Sequence, residues 1–245
     1  MAISFVGSAS GAAGDGGNVT LTLPVGTTTD DLVIVSYAIG DNDNVDHDMA
    51  MVTTGYTEVA DLFSDDTREA NLGVFWKVMG ATPDTSATVT GLGGIDASVG
   101  AVCMVFRGVD TTTPMDVTPT TATALSTFNP DPPSIDHLNP AGLWTVIAGA
   151  SAHVVGSGTY TFPTGYTTDA IDKWSGDTTE STVGMGYNTA PADPENPGAM
   201  THSGTDNGAY ASCAATLALR PAAAGGAATA APMRTRQLAL TGAGL

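Results

Sequence analysis

An all-β fold is predicted for this 245-residue chain by its composition and by its pattern of apolar residues. The 30 glycines and 14 prolines punctuate short runs rich in Val, Thr and Ala, as in strands joined by turns. Residues 18–24 alternate apolar and polar with the period of a half-buried strand, whereas residues 32–39 are continuously apolar, as in a central strand. The pattern predicts an antiparallel, jelly-roll-like β-sandwich.

The order of the remaining elements follows from the same signals. Further strands are expected at residues 3–7, 72–78, 86–91 and 99–107, with a flexible segment at 8–17. Beyond a Thr- and Pro-rich crossing segment, strands are expected at 133–136, 143–151, 183–188 and 214–220. The proline-dense run 190–198 predicts a long surface loop.

A sequence echo relates the two halves of the chain. Gly55-Tyr56-Thr57 recurs as Gly165-Tyr166-Thr167, 110 positions later, and each half closes on a strand that ends in arginine, Arg107 and Arg220. Spacing this long indicates a duplicated half-domain and exceeds the short periods of solenoids. The alternative is that β proteins simply share Gly-Tyr-Thr turns. The predicted organisation is a first sandwich half at 1–117, a related half at 118–221, and an Ala/Gly linker with an extended C-terminal arm at 222–245.

The charge balance narrows the choice of partners. Asp and Glu total 25 against 7 Lys and Arg, a formal net charge of −18. A surface this acidic repels nucleic-acid phosphates and anionic lipid, so we expect neither nucleic-acid binding nor membrane insertion. It favours solubility at high copy number, and adaptation to a salty medium is an equal alternative. No signal peptide or membrane span is recognised in the sequence, which predicts synthesis in the cytoplasm.

One acidic loop carries the candidate metal ligands. Alternating Asp and Asn oxygens could enclose a hard cation such as Ca²⁺, and a solvated acidic turn is the alternative. The spacing does not match an EF-hand, because the sixth and twelfth positions counted from the first aspartate are Asp and Val. The candidate ligands are Asp41, Asp43, Asp46 and Asp48. Apart from this Ca²⁺, no cofactor is expected.

Two other sets of residues are candidate binding elements. The aromatics Trp144, Tyr160 and Trp174 could stack on a glycan, and packing in the core is the alternative. In the arm, Arg234 and Arg236 precede the apolar Leu238 and Leu240, a pattern suited to docking on another subunit, with a disordered terminus as the alternative. Cys103 and Cys213 each lie in an apolar run, which favours reduced core residues over a disulfide.

Catalytic motifs are not recognised, and no enzymatic activity is predicted. The sequence contains no Gly-x-Ser-x-Gly elbow, no His-Glu-x-x-His and no P-loop, and its four histidines are scattered without a second histidine at ligand spacing. The numerous carboxylates make any chosen glycosidase pair uninformative.

Four segments together resemble a known group of proteins. They are residues 26–35, the Gly55-Tyr56-Thr57 turn, the Val-Phe-Trp-Lys-Val strand at 74–78, and residues 101–117. In this order they are similar to β-sandwich virion proteins of tailed bacteriophages, prophages and gene transfer agents, which more often have Trp where this chain has Tyr56. The resemblance covers about residues 1–221 and supplies no catalytic residue.

The resemblance implies a structural component on the virion surface. A capsid decoration or head fibre is the first expectation, anchored through sandwich edges or the arm to other virion proteins (capsid, portal-proximal or tail subunits) and forming a homo-oligomer. A tail fibre or adhesin for host surface polysaccharide is the second, and a secreted carbohydrate-active protein the third.

Overall fold

The computed structural model describes residues 1–41, 43, 45–91, 97–139, 141–153, 157–176, 179–204 and 210–223, without the side chain of residue 153. These residues form fourteen β-strands in antiparallel sheets, which confirms the all-β class. Within those ranges no helix has the length and apolar character needed to cross a bilayer.

The first half of the chain builds a five-stranded sheet with a two-stranded ribbon on its outer face. The sheet consists of β1 (Ser4–Ala13), β3 (Leu32–Asp41), β4 (Thr57–Ser64), β5 (Glu69–Val78) and β7 (Ser98–Arg107), in the order β1-β7-β3-β5-β4. The ribbon consists of β2 (Val19–Thr22) and β6 (Ser86–Val89).

The second half repeats this arrangement. Its sheet consists of β8 (Thr120–Leu125), β9 (Trp144–His153), β11 (Ile171–Ser175), β12 (Glu180–Asn188) and β14 (Ala211–Leu219), in the order β8-β14-β9-β12-β11. The outer ribbon is shorter, with β10 (Tyr160–Thr161) paired to β13 (Thr201–His202). When the five sheet strands are numbered along each half, both sheets have the order 1-5-2-4-3. The jelly-roll topology and the relation between the two halves are not confirmed by this shared order and stay predictions.

The two sheets pack face to face around one continuous core. Alternate residues of the central strands enter it, such as Ile34 and Met104 from the first sheet and Val146 and Leu217 from the second. The opposite residues of β3 and β7 are also buried, because the β2–β6 ribbon covers the outer face with Val19, Leu21, Ala87 and Val89. A strand buried on both faces is apolar at most positions, which explains why β3 shows no alternation.

The packing places two neighbouring aromatic residues and confirms the expected state of the cysteines. Phe75 and Trp76 point to opposite faces of β5: Phe75 lies in the outer core of the first sheet, and Trp76 packs against the core between the sheets. Cys103 and Cys213 are free and buried, as predicted for reduced core residues.

Two predicted segments are wrong, and the strands β10, β11 and β13 were not predicted. Residues 8–13, expected to be flexible, belong to β1, whose small side chains are needed because the ribbon packs on it: a Cβ at Gly11 would lie 2.9 Å from Val19 Cγ1. In the crossing segment the strand is β8, whereas residues 133–136 contribute only an isolated bridge between Ile135 and Glu195.

The two ends of the sandwich differ in how the gap between the sheets is filled. At one end the backbones touch: a Cβ at Gly40 would lie 2.7 Å from the carbonyl oxygen of Glu180. At the other end Phe106, Trp144 and Tyr187 fill the gap, and the Trp144 and Tyr187 rings stack with centroids 5.0 Å apart. Both closing arginines follow the strands at this aromatic end, because Arg107 ends β7 and Arg220 follows β14.

Candidate metal site

The acidic loop after β3 lies across the outer face of the first sheet and is held there by main-chain hydrogen bonds. The N–H groups of residues 47, 49 and 50 donate to side-chain oxygens of Asn71 (3.1 Å), Asp61 (3.1 Å) and Tyr37 (2.5 Å), respectively. The accepting side chains come from three neighbouring strands, β5, β4 and β3. The sheet therefore fixes the path of the loop, and Met49 is buried beneath it.

This path brings a histidine and two aspartates of the loop together. Asp41 ends β3, and its Oδ2 is in direct contact with His47 Nε2. Asp43 Oδ1 lies 3.4 Å from the same nitrogen. One ligand atom from each of the three residues lies within 4.8 Å of the other two. Two carboxylates and one imidazole nitrogen thus converge on one small volume.

The cluster is buried on one side and exposed to solvent on the other. The Asp41 and His47 side chains are 4% and 10% exposed, whereas that of Asp43 is 42% exposed. Asp41 pairs across the sheet with Glu69, whose side chain is also buried. Burial raises the pKa of the Asp41 carboxyl, and hydrogen bonding to Glu69 and attraction to His47 offset only part of this effect.

The structure gathers only two of the four aspartates predicted as ligands. Asp46 and Asp48 are exposed and lie outside the cluster, which instead recruits His47. Sequence reasoning missed His47 because it looked for a second histidine at ligand spacing. The signal present was a histidine four residues after Asp43 and six after Asp41 within one loop.

The three candidate glycan-facing aromatics do not form one surface. Trp144 lies in the core between the sheets, stacked on Tyr187. Tyr160 is buried on the outer face of the second sheet, where its hydroxyl is 2.6 Å from Ser151 Oγ and donates to the carbonyl oxygen of Thr182 at 3.1 Å. Trp174 pairs with Thr182 on the same sheet and donates from Nε1 to Glu180 at 3.4 Å. The docking-arm residues Arg234, Arg236, Leu238 and Leu240 lie outside the described residues.

Fold and site together define an all-β protein of two stacked five-stranded sheets with an Asp/His cluster on one outer face. Comparison with known proteins found no matching family model, no matching curated protein and no matching solved structure.

Proposed function

We propose that this chain is a structural and binding component of a phage-like virion, displayed on the particle surface as a capsid decoration or head fibre. The proposal rests mainly on the edge strand β8, which lacks the features that protect the other sheet edges from pairing. The sequence resemblance and the acidic composition also support it. In this proposal the protein has no enzymatic activity: the sandwich is a rigid scaffold that pairs with neighbouring subunits.

The other edge strands of the two sheets carry features that discourage pairing with a further strand. β1 is bulged between Phe5 and Gly7, and β4 is bulged between Glu58 and Ala60. β11 carries Asp172 and Lys173. Bulges and charges are the usual means by which natural sheets protect their edges from other chains.

β8 has none of these features. Its sequence, Thr-Thr-Ala-Thr-Ala-Leu, contains no charge and no proline, and it pairs with β14 in an unbroken register. Its C-terminal end is anchored, because Ser64 Oγ donates to the carbonyl oxygen of Ala124 at 3.0 Å and Asp66 accepts the Ser126 N–H at 2.8 Å. Leu125 is 61% exposed. A fixed, uncharged edge with an exposed leucine suits the addition of a strand from a neighbouring subunit.

The particle assignment is tested on purified virions. Particles separated on a density gradient should contain this chain in a constant ratio to the major capsid subunit. Recovery of the chain only from fractions without particles would contradict the proposal.

The role of β8 is tested with Thr121→Lys/Thr123→Lys, at two exposed edge positions. We expect this variant to fold and to lose at least about tenfold in incorporation, since lysines on an edge oppose strand pairing. The matched control is Thr20→Lys/Thr22→Lys on the outer ribbon, where both threonines are exposed and the added charge is the same. Equal incorporation of the two variants would exclude β8 as the docking edge, and deletion of residues 224–245 then tests the arm.

A further inference from the structure

We propose that Asp41, Asp43 and His47 form a binding site for a first-row divalent transition metal, with Zn²⁺ as the reference ion. The site holds the acidic loop against the first sheet. It differs from the Ca²⁺ site expected from the sequence both in its ligands and in the ion that it selects.

The donor set selects the class of ion. Ca²⁺ is bound by six to eight oxygens, whereas imidazole nitrogen is a preferred ligand of Zn²⁺ and its neighbours in the first transition row. Zinc sites with three protein ligands leave the fourth position to water, and both imidazole nitrogen and carboxylate oxygen occur among those ligands. The 42% exposure of the Asp43 side chain leaves a side open through which ion and water can enter.

The distances fit such an ion with small adjustments. At metal–ligand bonds of about 2.0–2.2 Å, two ligand atoms of a tetrahedral ion are about 3.3–3.6 Å apart. Asp43 Oδ1 and His47 Nε2 are already 3.4 Å apart. Asp41 Oδ2 is closer to the same nitrogen, so this contact must open as the ion enters. The main-chain N–H of His47 is held by Asn71, which keeps the imidazole beside the two carboxylates.

The second carboxylate oxygen of Asp41 adds an observation on hydrogen bonding to these distances. Asp41 is 3% exposed, and no donor of the described residues hydrogen-bonds its Oδ1. A buried carboxylate oxygen without a donor costs free energy, and a metal ion in the cluster provides the positive charge that compensates for it.

Binding is measured by calorimetric titration of untagged, chelator-treated protein with ZnCl₂, and separately with CaCl₂. We expect one Zn²⁺ per chain and a Ca²⁺ affinity at least about tenfold weaker. At a hundredfold excess of Zn²⁺ over its Kd, the midpoint of thermal unfolding should rise by roughly 5–10 °C. A Co²⁺ titration should give the visible absorption of a four- or five-coordinate ion.

Matched variants distinguish this site from other acidic or histidine-containing surfaces. Asp43→Asn and His47→Asn should each weaken Zn²⁺ binding at least about tenfold. The controls are Asp46→Asn, in the same loop but outside the cluster, and His137→Asn, a histidine that like His47 is 8% exposed. Both controls should bind as the parent does. Asp43 is on the surface, so its variant should fold even if the His47 variant does not.

Three results would overturn the proposal. They are Zn²⁺ binding that survives Asp43→Asn, equal losses in Asp46→Asn and Asp43→Asn, and Ca²⁺ binding tighter than Zn²⁺ binding. The last of these would favour the all-oxygen site expected from the sequence.

Discussion

Equivalent positions of the two sheets are filled in opposite ways. In the first sheet Tyr37 lies between Gly73 on β5 and Ala101 on β7. In the second sheet the same place on β9 is taken by Gly149, between Gly184 on β12 and Ala214 on β14. The first sheet thus carries an aromatic ring on its own central strand, and the second carries a gap.

The gap in the second sheet is filled from outside. Ideal Cβ atoms at Gly149 and Gly184 would lie 2.8 Å from Met200 Sδ and 2.7 Å from Tyr160 Cδ2, so the side chains above the sheet rest directly on its backbone. In the first sheet Tyr37 reaches outward, and its hydroxyl bonds the main chain at Ala50. The comparison shows that strand order can be kept while the source of the core volume changes, because close packing constrains the total volume and not its origin.

Loss of the Tyr37 ring should have the largest effect on stability. We expect Tyr37→Ala to lower the free energy of unfolding by about 4 kcal/mol, since it leaves a cavity and removes the hydroxyl that bonds the loop over the sheet. Chemical denaturation measures the change. Tyr37→Phe, which keeps the ring, should cost only about 1 kcal/mol. Similar losses in the two variants would mean that the hydroxyl matters more than the ring.

Adding a side chain at the equivalent glycine of the second sheet should have the second-largest effect on stability. Gly149→Ala places a methyl group within 2.8 Å of both Met200 Sδ and Pro130 Cβ, so we expect a loss of about 2–3 kcal/mol in the same assay. The control is Gly80→Ala, because an added Cβ there meets nothing within 4 Å. A Gly149→Ala variant as stable as the control would show that the outer layer of the second half yields easily.

The outer ribbons should differ in their response to acid. Met51 bridges to Val89 in the first half, whereas Tyr160 pairs with His202 in the second. Burial lowers the pKa of His202 to about 4 from its ordinary value of 6.5. Its Nδ1 accepts the Gly204 N–H at 3.0 Å and its Nε2 lies 3.0 Å from Thr182 Oγ1, an arrangement that requires the neutral ring.

This depressed pKa gives a signed prediction. Between pH 6.5 and 4 the unfolded chain binds the proton more tightly than the folded one, so stability falls as the pH is lowered through this window. His202 should account for roughly 2 kcal/mol of that loss. Denaturation midpoints measured from pH 7 to pH 4 should therefore fall less steeply for His202→Gln than for the parent. Parallel curves for the two proteins would contradict the assignment.

The two closing arginines, Arg107 and Arg220, should show the smallest difference in their contribution to stability. Arg107 donates from Nε and Nη2 to the two carboxylate oxygens of the fully buried Asp31, each at 2.8 Å. Arg220 contacts Asp116 at 3.3 Å, but that carboxylate also accepts the N–H groups of Leu138 and Asn139 and the Asn139 side-chain amide. Although burial opposes ionisation of Asp116, these bonds hold its pKa below the ordinary value.

Removal of Arg107 should therefore lower the free energy of unfolding more than removal of Arg220. Arg107→Ala leaves the buried Asp31 with the Thr28 N–H and hydroxyl as donors, both to Oδ2, and should cost about 2 kcal/mol. Arg220→Ala leaves Asp116 with donors to both oxygens and should cost about 1 kcal/mol. Paired thermal and chemical denaturation measures the difference. Equal costs would show that solvent replaces the guanidinium of Arg107 as readily as that of Arg220.

The sequence predicted the strands that carry a strong local pattern of apolar residues. β3, β5 and β7 were evident because each contains a run of mainly apolar residues, and the closing arginines marked the ends of β7 and β14. β8 was missed because Thr-Thr-Ala-Thr-Ala-Leu, half-exposed at an edge, carries little hydrophobic signal.

Other features depend on contacts between distant residues. The exchange of Tyr37 for Gly149 becomes visible only when the strand registers align the two sheets. The candidate metal site was half predicted: its loop and two aspartates were identified, but the third ligand required knowledge of how Asn71 positions the main chain at His47.

The backbones of Met1 and Ala222 are in contact, so the first and the last described residues lie at the same end of the sandwich. Ala2 and Ala222 both lie beside Gly108, at the end of the sandwich where Arg107 and Arg220 lie. The acidic loop begins at the far end of a ten-residue strand, about 30 Å away. A tether joined near residue 1 or residue 223 therefore presents the His47 loop away from the attachment point. A circular permutant, in which residues 1 and 223 are linked and the new termini lie in a surface loop, should keep the sandwich intact.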